Sequence, residues 1–263
     1  MAKPVIYTPE DNLLEARFGR VGPALARMIA ANIGSFDVAS HFDDFWGDAI
    51  EGKYAVVTGV DGTFTIEEST NLNGAAKVSP GVGSSADNEY AGAWAGLGLK
   101  GDHNAVFAAR VALDTLATTK VEVGLTDSGA DAGAVNVLAT PNYTASDLAM
   151  FCRDSDDSGN ANAWQGVGVK ATTGITKLEP SSGAALTAGT YQTLVIALQG
   201  DAANYIIYDA DGGKTYESGW QANAVEGGTA LTPWIFAQNR TGSIDRHVSV
   251  DFWGWWQRRS SSN

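Results

Sequence analysis

The residue types that carry chemistry are sparse in this sequence and poorly matched in spacing. Cleaving a glycosidic bond takes two carboxylates flanking the scissile bond. The nearest pair is Glu67-Glu68 in "FTIEES". Adjacent residues on a strand face opposite ways, so whichever of the two looks into a cleft lacks a partner. The run "DSDDSGNANAWQ" starts like a calcium loop, with Asp154, Asp156, Ser158 and Gly159 where such a loop has its first ligands and its glycine. The closing position holds Gln165, which cannot give a bidentate charged grip. The segment also lies between two strand-like runs, "DLAMFCR" and "AWQGVGVK", and reads as a polar hairpin tip.

His41, His103 and His247 are far apart, and none has a metal-ligand neighbour at helical or strand spacing. They read as ordinary surface histidines, although His41 and His247 fall on the expected first and last strands and could face each other. A lone Cys152 excludes an internal disulfide and a multi-cysteine zinc site. It reads as a buried thiol. There is no nucleophile elbow, phosphate loop or dinucleotide fingerprint, and "GLGLKG" reads as a turn. The sequence thus predicts no catalytic residue, no cofactor-binding residue and no metal ligand.

The aromatic residues are more informative. The stretch "VSVDFWGWWQRR", residues 248–259, carries three tryptophans in four positions. Strand alternation sends Val248, Val250, Phe252 and Trp256 to one face, and Ser249, Asp251, Trp253 and Trp255 to the other. A tryptophan buries roughly 150–250 Å², which at about 25 cal/mol per Å² is several kcal/mol left unused if the ring stays wet. Trp253 and Trp255 are therefore the expected interaction surface. Trp94, Trp164, Trp220 and Trp234 lie near predicted turns or strand ends, where a glycan could stack. Tryptophan is more often buried than ligand-facing, so each alone is weak evidence.

The elements that must position these residues are mostly strands. Apolar residues make up 44%, enough for a real core in one large domain, while charged residues reach only 18% and glycine numbers 31. Such a composition suits short strands joined by turns. "AVFAARVALD" alternates Ala105, Phe107, Ala109, Val111 and Leu113 onto one face. "TKVEVGLTD" turns Val121, Val123 and Leu125 inward, with Lys120 and Glu122 outward. "NYIIYDADGGKTYESG" reads as strand, Asp-Gly-Gly turn and returning strand.

Residues 1–36 differ. Thr8 can cap a helix, Pro9 suits its first position, and Glu10 and Asp11 favour its positive end. Leu14, Phe18, Val21, Leu25 and Ile29 recur at helical spacing, and Pro23 divides the pattern into two short helices. Lys3, Arg17, Arg20 and Arg27 against Glu10, Asp11 and Glu15 give this arm +1, so the net charge of −13 leaves −14 on the remainder. With no basic cluster longer than Arg258-Arg259, binding to nucleic acid is not expected. No apolar run approaches a membrane span. No secretory signal is visible, and synthesis in a host cytoplasm is expected.

The order of segments resembles the concanavalin-A-like lectin/glucanase jelly roll, including its laminin-G-like relatives. "SHFDDFWGD" (40–48) looks like the opening strand of that fold, "NYIIYDADGGKTYESG" like its aromatic hairpin, and "VSVDFWGWWQ" like its last strand, pairing beside the first. The resemblance implies an all-β, antiparallel jelly-roll β-sandwich over residues 37–258, after the helical N-terminal arm of residues 1–36 and before a polar tail at 259–263. The glucanase branch carries its carboxylates in a Glu-x-Asp-x-x-Glu pattern, absent here, so no enzyme is expected. The same architecture occurs in structural proteins of tailed bacteriophages, which this chain resembles in its arm and its acidic Gly/Ala/Thr-rich β body. That resemblance implies a capsid decoration or minor head protein on the virion exterior. Its arm and aromatic surface, through Leu14, Phe18, Leu25, Trp253 and Trp255, would contact the major capsid protein or copies of itself, and a trimer would suit a local threefold. The alternative is a carbohydrate-binding module of a tail fibre or spike, with a glycan as ligand.

Overall fold

A computed structural model describes residues 38–45, 54–67, 74–81, 88–96, 98–129, 133–174, 177–178, 182–241 and 246–259. The predicted helical arm with Leu14, Phe18 and Leu25 lies outside the described residues. Within them the chain forms β1 (Val38–Asp43), β2 (Ala55–Thr58), β3 (Thr63–Glu67), β4 (Ala75–Ser79), β5 (Tyr90–Trp94), β6 (Val106–Leu113), β7 (Thr119–Thr126), β8 (Val135–Val137), β9 (Asn142–Tyr143) and β10 (Leu148–Asp154). It continues with β11 (Gln165–Lys170), β12 (Thr173–Gly174), β13 (Gln192–Gln199), β14 (Ala202–Tyr208), β15 (Lys214–Gln221), β16 (Thr232–Asn239) and β17 (Val248–Arg258).

The strands pair antiparallel in two main sheets. Sheet A runs β15-β14-β13-β6-β17-β4-β3, with β1 also paired to β17, and sheet B runs β12-β11-β10-β7-β16-β5-β2. A small ribbon of β8 and β9 stands apart. The predicted alternation holds in the centre of both sheets. Phe107, Ala109, Val111 and Leu113 of sheet A meet Val121, Val123 and Leu125 of sheet B in one core between the layers. Tyr205 Oη spans the gap, donating to the Val167 carbonyl at 2.7 Å. The predicted hairpin forms between β14 and β15, where Asp209 Oδ1 accepts from the amides of Asp211 and Gly213. Gly212 there has φ +82°, a conformation that glycine adopts without steric cost.

The first and last strands pair as predicted, from Val38 opposite Arg258 to Asp43 opposite Trp253. Their faces do not follow the predicted alternation. Along β6, Val250 stands opposite Val111, but the next pair is Phe252 opposite Arg110, so Asp251 is an extra residue in β17. Such a bulge inverts every side chain beyond it. Val248 and Val250 enter the inter-sheet core, and after the bulge so do Trp253 and, at its margin, Trp255. Phe252 and Trp256 take the outer face. The expectation that Trp253 and Trp255 form an exposed surface is thus overturned. Trp253 is 0% exposed, with Tyr54 at 4.8 Å, Trp255 at 5.5 Å and Phe45 at 6.3 Å between ring centres. Trp255 is half-buried and packs on His41 at 4.3 Å.

Candidate functional site: the outer faces of the sandwich

The outer face of sheet B is occupied by the chain itself. Between β7 and β10 the backbone passes over this face, and Ala134, Val135, Leu138 and Ala145 pack against Met150 and Trp234. Lys120 and Glu122 do point away from the inter-sheet core, as the alternation predicts, yet both are fully buried under this cover. One carboxylate organises it. Glu122 accepts from the amides of Ala134 at 2.8 Å and Val135 at 3.0 Å, and from Trp234 Nε1 at 2.8 Å. It also lies 3.0 Å from Lys120 Nζ, which in turn donates to the Val135 carbonyl. A carboxylate with this many partners is a clamp, and its lone pairs are not free for proton transfer to a substrate. Cys152 sits in the same layer. Burial, reinforced by the negative Glu122, pushes its thiol well above the ordinary value, which leaves it protonated and weakly nucleophilic.

The other acidic candidates are also committed. Asp154 is bound by Arg240, whose Nε donates to Oδ1 at 2.9 Å. Asp157 Oδ2 accepts from Lys177 Nζ at 2.5 Å and from Gln165 Nε2 at 2.8 Å. Gln165 therefore ties down the polar tip between β10 and β11. Glu67 lies on β3 opposite Ala75, and its side chain is outside the described residues. The three histidines stay apart. His41 Nε2 lies 2.9 Å from Tyr54 Oη, whose hydroxyl donates to Asp43. His103 Nδ1 lies 2.9 Å from the Arg258 carbonyl, and His247 Nδ1 lies 3.4 Å from Asp114. His41 and His247 do not face each other, because His41 pairs with Trp255 while His247 precedes the opposite end of β17.

Sheet A carries an outward apolar cluster of its own. Beyond the bulge, Phe252 and Trp256 join Val106 and Ala108 of β6, Val195 and Ala197 of β13, and Ile206 and Tyr208 of β14 in one outward cluster. Val38 and Phe42 of β1 border it. Phe252 is 5% exposed and Trp256 4%. The cluster gives way to charge at Arg110, which reaches Asp251 at 2.6 Å. The sequence reading missed this face because it assigned Phe252 and Trp256 to the core. A signal was present, since large aromatics on both parities around Gly254 are what a strand with a slipped register needs.

One groove opens beside this cluster. It encloses about 180 Å³ and is lined by Trp220 of β15, Trp256, Gln199, Asn104, Gln257 and Arg258, among others. Trp220 is 50% exposed. The amide of Gln257 is already engaged by Lys100 and Gly98, whereas Asn104 Oδ1 has no hydrogen-bond partner among the described residues. An exposed indole next to planar amides and a guanidinium can stack on a flat apolar ligand face and hydrogen-bond its rim. Of the four tryptophans singled out as stacking platforms, Trp220 alone is open. Trp164 and Trp234 are buried, their Nε1 groups donating to Gln192 and Glu122, and Trp94 is half-buried.

No protein-family model matches the sequence, and no curated protein matches it. Solved structures do match. A protein of unknown function from Shewanella oneidensis MR-1 superposes over 100% of both chains with a TM-score of 0.59 at 12% identity. A peanut lectin solved with a nine-residue peptide covers 83% of this chain and 97% of its own, with a TM-score of 0.53 at 9% identity. A Lotus tetragonolobus seed lectin covers 84% and 100%, with a TM-score of 0.53 at 9% identity. Identities this low establish architecture alone. With two antiparallel sheets, the first and last strands paired, and these neighbours, the chain has the concanavalin-A-like jelly-roll fold of the legume lectins.

Proposed function

We propose that the chain is a non-enzymatic structural component of a tailed-bacteriophage particle, a capsid decoration or minor head protein that acts by surface contact. The observation that carries this reading is the apolar outer face of sheet A around Phe252 and Trp256. It adjoins β1, and so the end of the segment that brings Leu14, Phe18 and Leu25. Its central rings are already closed off, so a permanent contact with the major capsid protein or with further copies of the chain would be made at its border, where Val38 and Phe42 are only partly buried. The commitment of Glu122, Asp154 and Asp157 to structural partners supports a role without catalysis. The net charge of −13 keeps the remaining surface solvated. The test is co-sedimentation of the purified chain with particles that lack it. Saturable binding at a copy number proportional to the capsid lattice is the expected result, and absence of binding refutes the assignment.

The groove at Trp220 favours a second reading, a carbohydrate-binding module of a tail fibre or spike. It predicts binding on a glycan array that Trp220→Ala abolishes without altering thermal stability. A silent array removes this reading.

A further inference from the structure

The groove at Trp220 has a charge of its own. Arg258 lines it, and among the described residues Arg258 has no carboxylate partner, although the chain holds 30 Asp and Glu residues. Arg110, Lys170 and Lys214, by contrast, are each paired with a carboxylate. Arg259 follows Arg258 at the strand end, and Lys100 donates its amide to the groove's Gln257 at 3.0 Å. Neither of these cations is in an ion pair among the described residues. None of the described residues lining the groove is acidic, and Asp102, on the turn before Asn104, sets its carboxylate against Gly227. An arginine left over in an acidic chain suits an external carboxylate, which its planar fork takes through two parallel hydrogen bonds.

We propose that the groove takes an acidic saccharide, a sugar ring that bears a carboxylate. This rests on the carbohydrate reading of the groove and narrows it to one ligand class. The apolar face of the ring lies on the Trp220 indole, its carboxylate meets Arg258, and a ring hydroxyl donates to Asn104 Oδ1. That oxygen is buried with no hydrogen-bond partner, so a donor from the ligand removes a standing cost. The backbone of Asn104 is held in the left-handed region, at φ 51°, with its amide donating to the Gly101 carbonyl at 2.9 Å. His103 Nδ1 lies 2.9 Å from the Arg258 carbonyl, which ties the same turn to the end of β17. Acceptor and cation are therefore placed relative to each other before a ligand arrives. The groove encloses about 180 Å³, less than the roughly 300–1,000 Å³ of pockets for drug-sized ligands. It thus suits one ring, with the remainder of a chain on the surface outside. A neutral ring would satisfy Trp220 and Asn104 but leave the guanidinium without its anion.

A glycan array of matched pairs tests this with the full-length chain. Galacturonate, glucuronate and sialate oligosaccharides are each spotted beside their methyl esters, which keep the skeleton and lose the charge. The expected result is that the acid of at least one pair binds about tenfold or more tightly than its ester, the worth of a charge-assisted hydrogen bond. Arg258→Gln should erase that preference, Arg258→Lys should keep part of it, and Trp220→Ala should abolish binding of both members. Arg258 is exposed at a strand end, and an unchanged thermal unfolding curve shows that its variants remain folded. Equal binding of acid and ester, or a preference that survives Arg258→Gln, overturns the inference and leaves the carbohydrate reading standing. An array silent to both members of every pair removes the two together.

Discussion

Arg110 donates from Nη1 to Asp251 Oδ2 at 2.6 Å, at the point where β17 slips by one residue against β6. The pair marks the position that decides which aromatics reach the core. Before it, Val248 and Val250 face sheet B. After it, Trp253 and Trp255 do, and Phe252 and Trp256 are left for the outer face.

The slip and the ion pair are separable. Both partners are more than a quarter exposed, so Asp251→Ala should cost no more than about 1 kcal/mol. Deleting Asp251 removes the extra residue and joins Val250 directly to Phe252, as Val111 and Arg110 are joined on β6, so Trp253 and Trp255 keep their places in the core and the loss should again be about 1 kcal/mol. Urea denaturation of the two variants checks this. A deletion variant weaker by several kcal/mol would show that the bulge itself, and not only the faces on either side of it, is needed to seat β17.

Glu122 holds the cover over sheet B, and Glu122→Ala leaves Lys120 as a buried charge and three N–H groups without their acceptor. A loss of about 3–5 kcal/mol is expected. The double variant Lys120→Met/Glu122→Leu should recover much of it, since no unpaired charge remains. Hydrogen exchange over residues 133–145 should rise first in the single variant. Unchanged exchange there would mean that the cover is held by its apolar contacts alone.

Acid should weaken the tip between β10 and β11. Burial opposes ionisation of Asp157, but hydrogen bonds from Lys177 and Gln165 outweigh it and hold the carboxyl below the ordinary range. A folded value below the unfolded one, about 3.9, gives stability that is fully present above the unfolded value and lost as pH falls through the folded one. Asp157→Asn should therefore be less stable than the parent at neutral pH, with the gap closing below about pH 4. A gap independent of pH would assign the effect to packing instead of charge.

Much of the fold was legible because it depends on local pattern. Alternation in β6 and β7, the Asp-Gly-Gly turn after Tyr208, and the pairing of "SHFDDFWGD" with the last strand could each be read from a few consecutive residues. The faces of Phe252, Trp253, Trp255 and Trp256 could not, because a one-residue slip is set by how β17 meets β6, more than a hundred residues earlier in the chain. Lys120 and Glu122 read as solvent-facing for a similar reason. Their strand shows only that they leave the inter-sheet core, and the cover that buries them comes from residues after the strand has ended. Trp220 was one candidate among four, and the edge position of β15 is what separates it from Trp164 and Trp234.

Whether this chain belongs to a particle head is measured most directly by antibody labelling of intact particles under the electron microscope. Label spread over the head in many copies is the predicted result. Label at the tail tip would instead match a glycan-binding fibre or spike, and no label on any particle would contradict the particle assignment altogether.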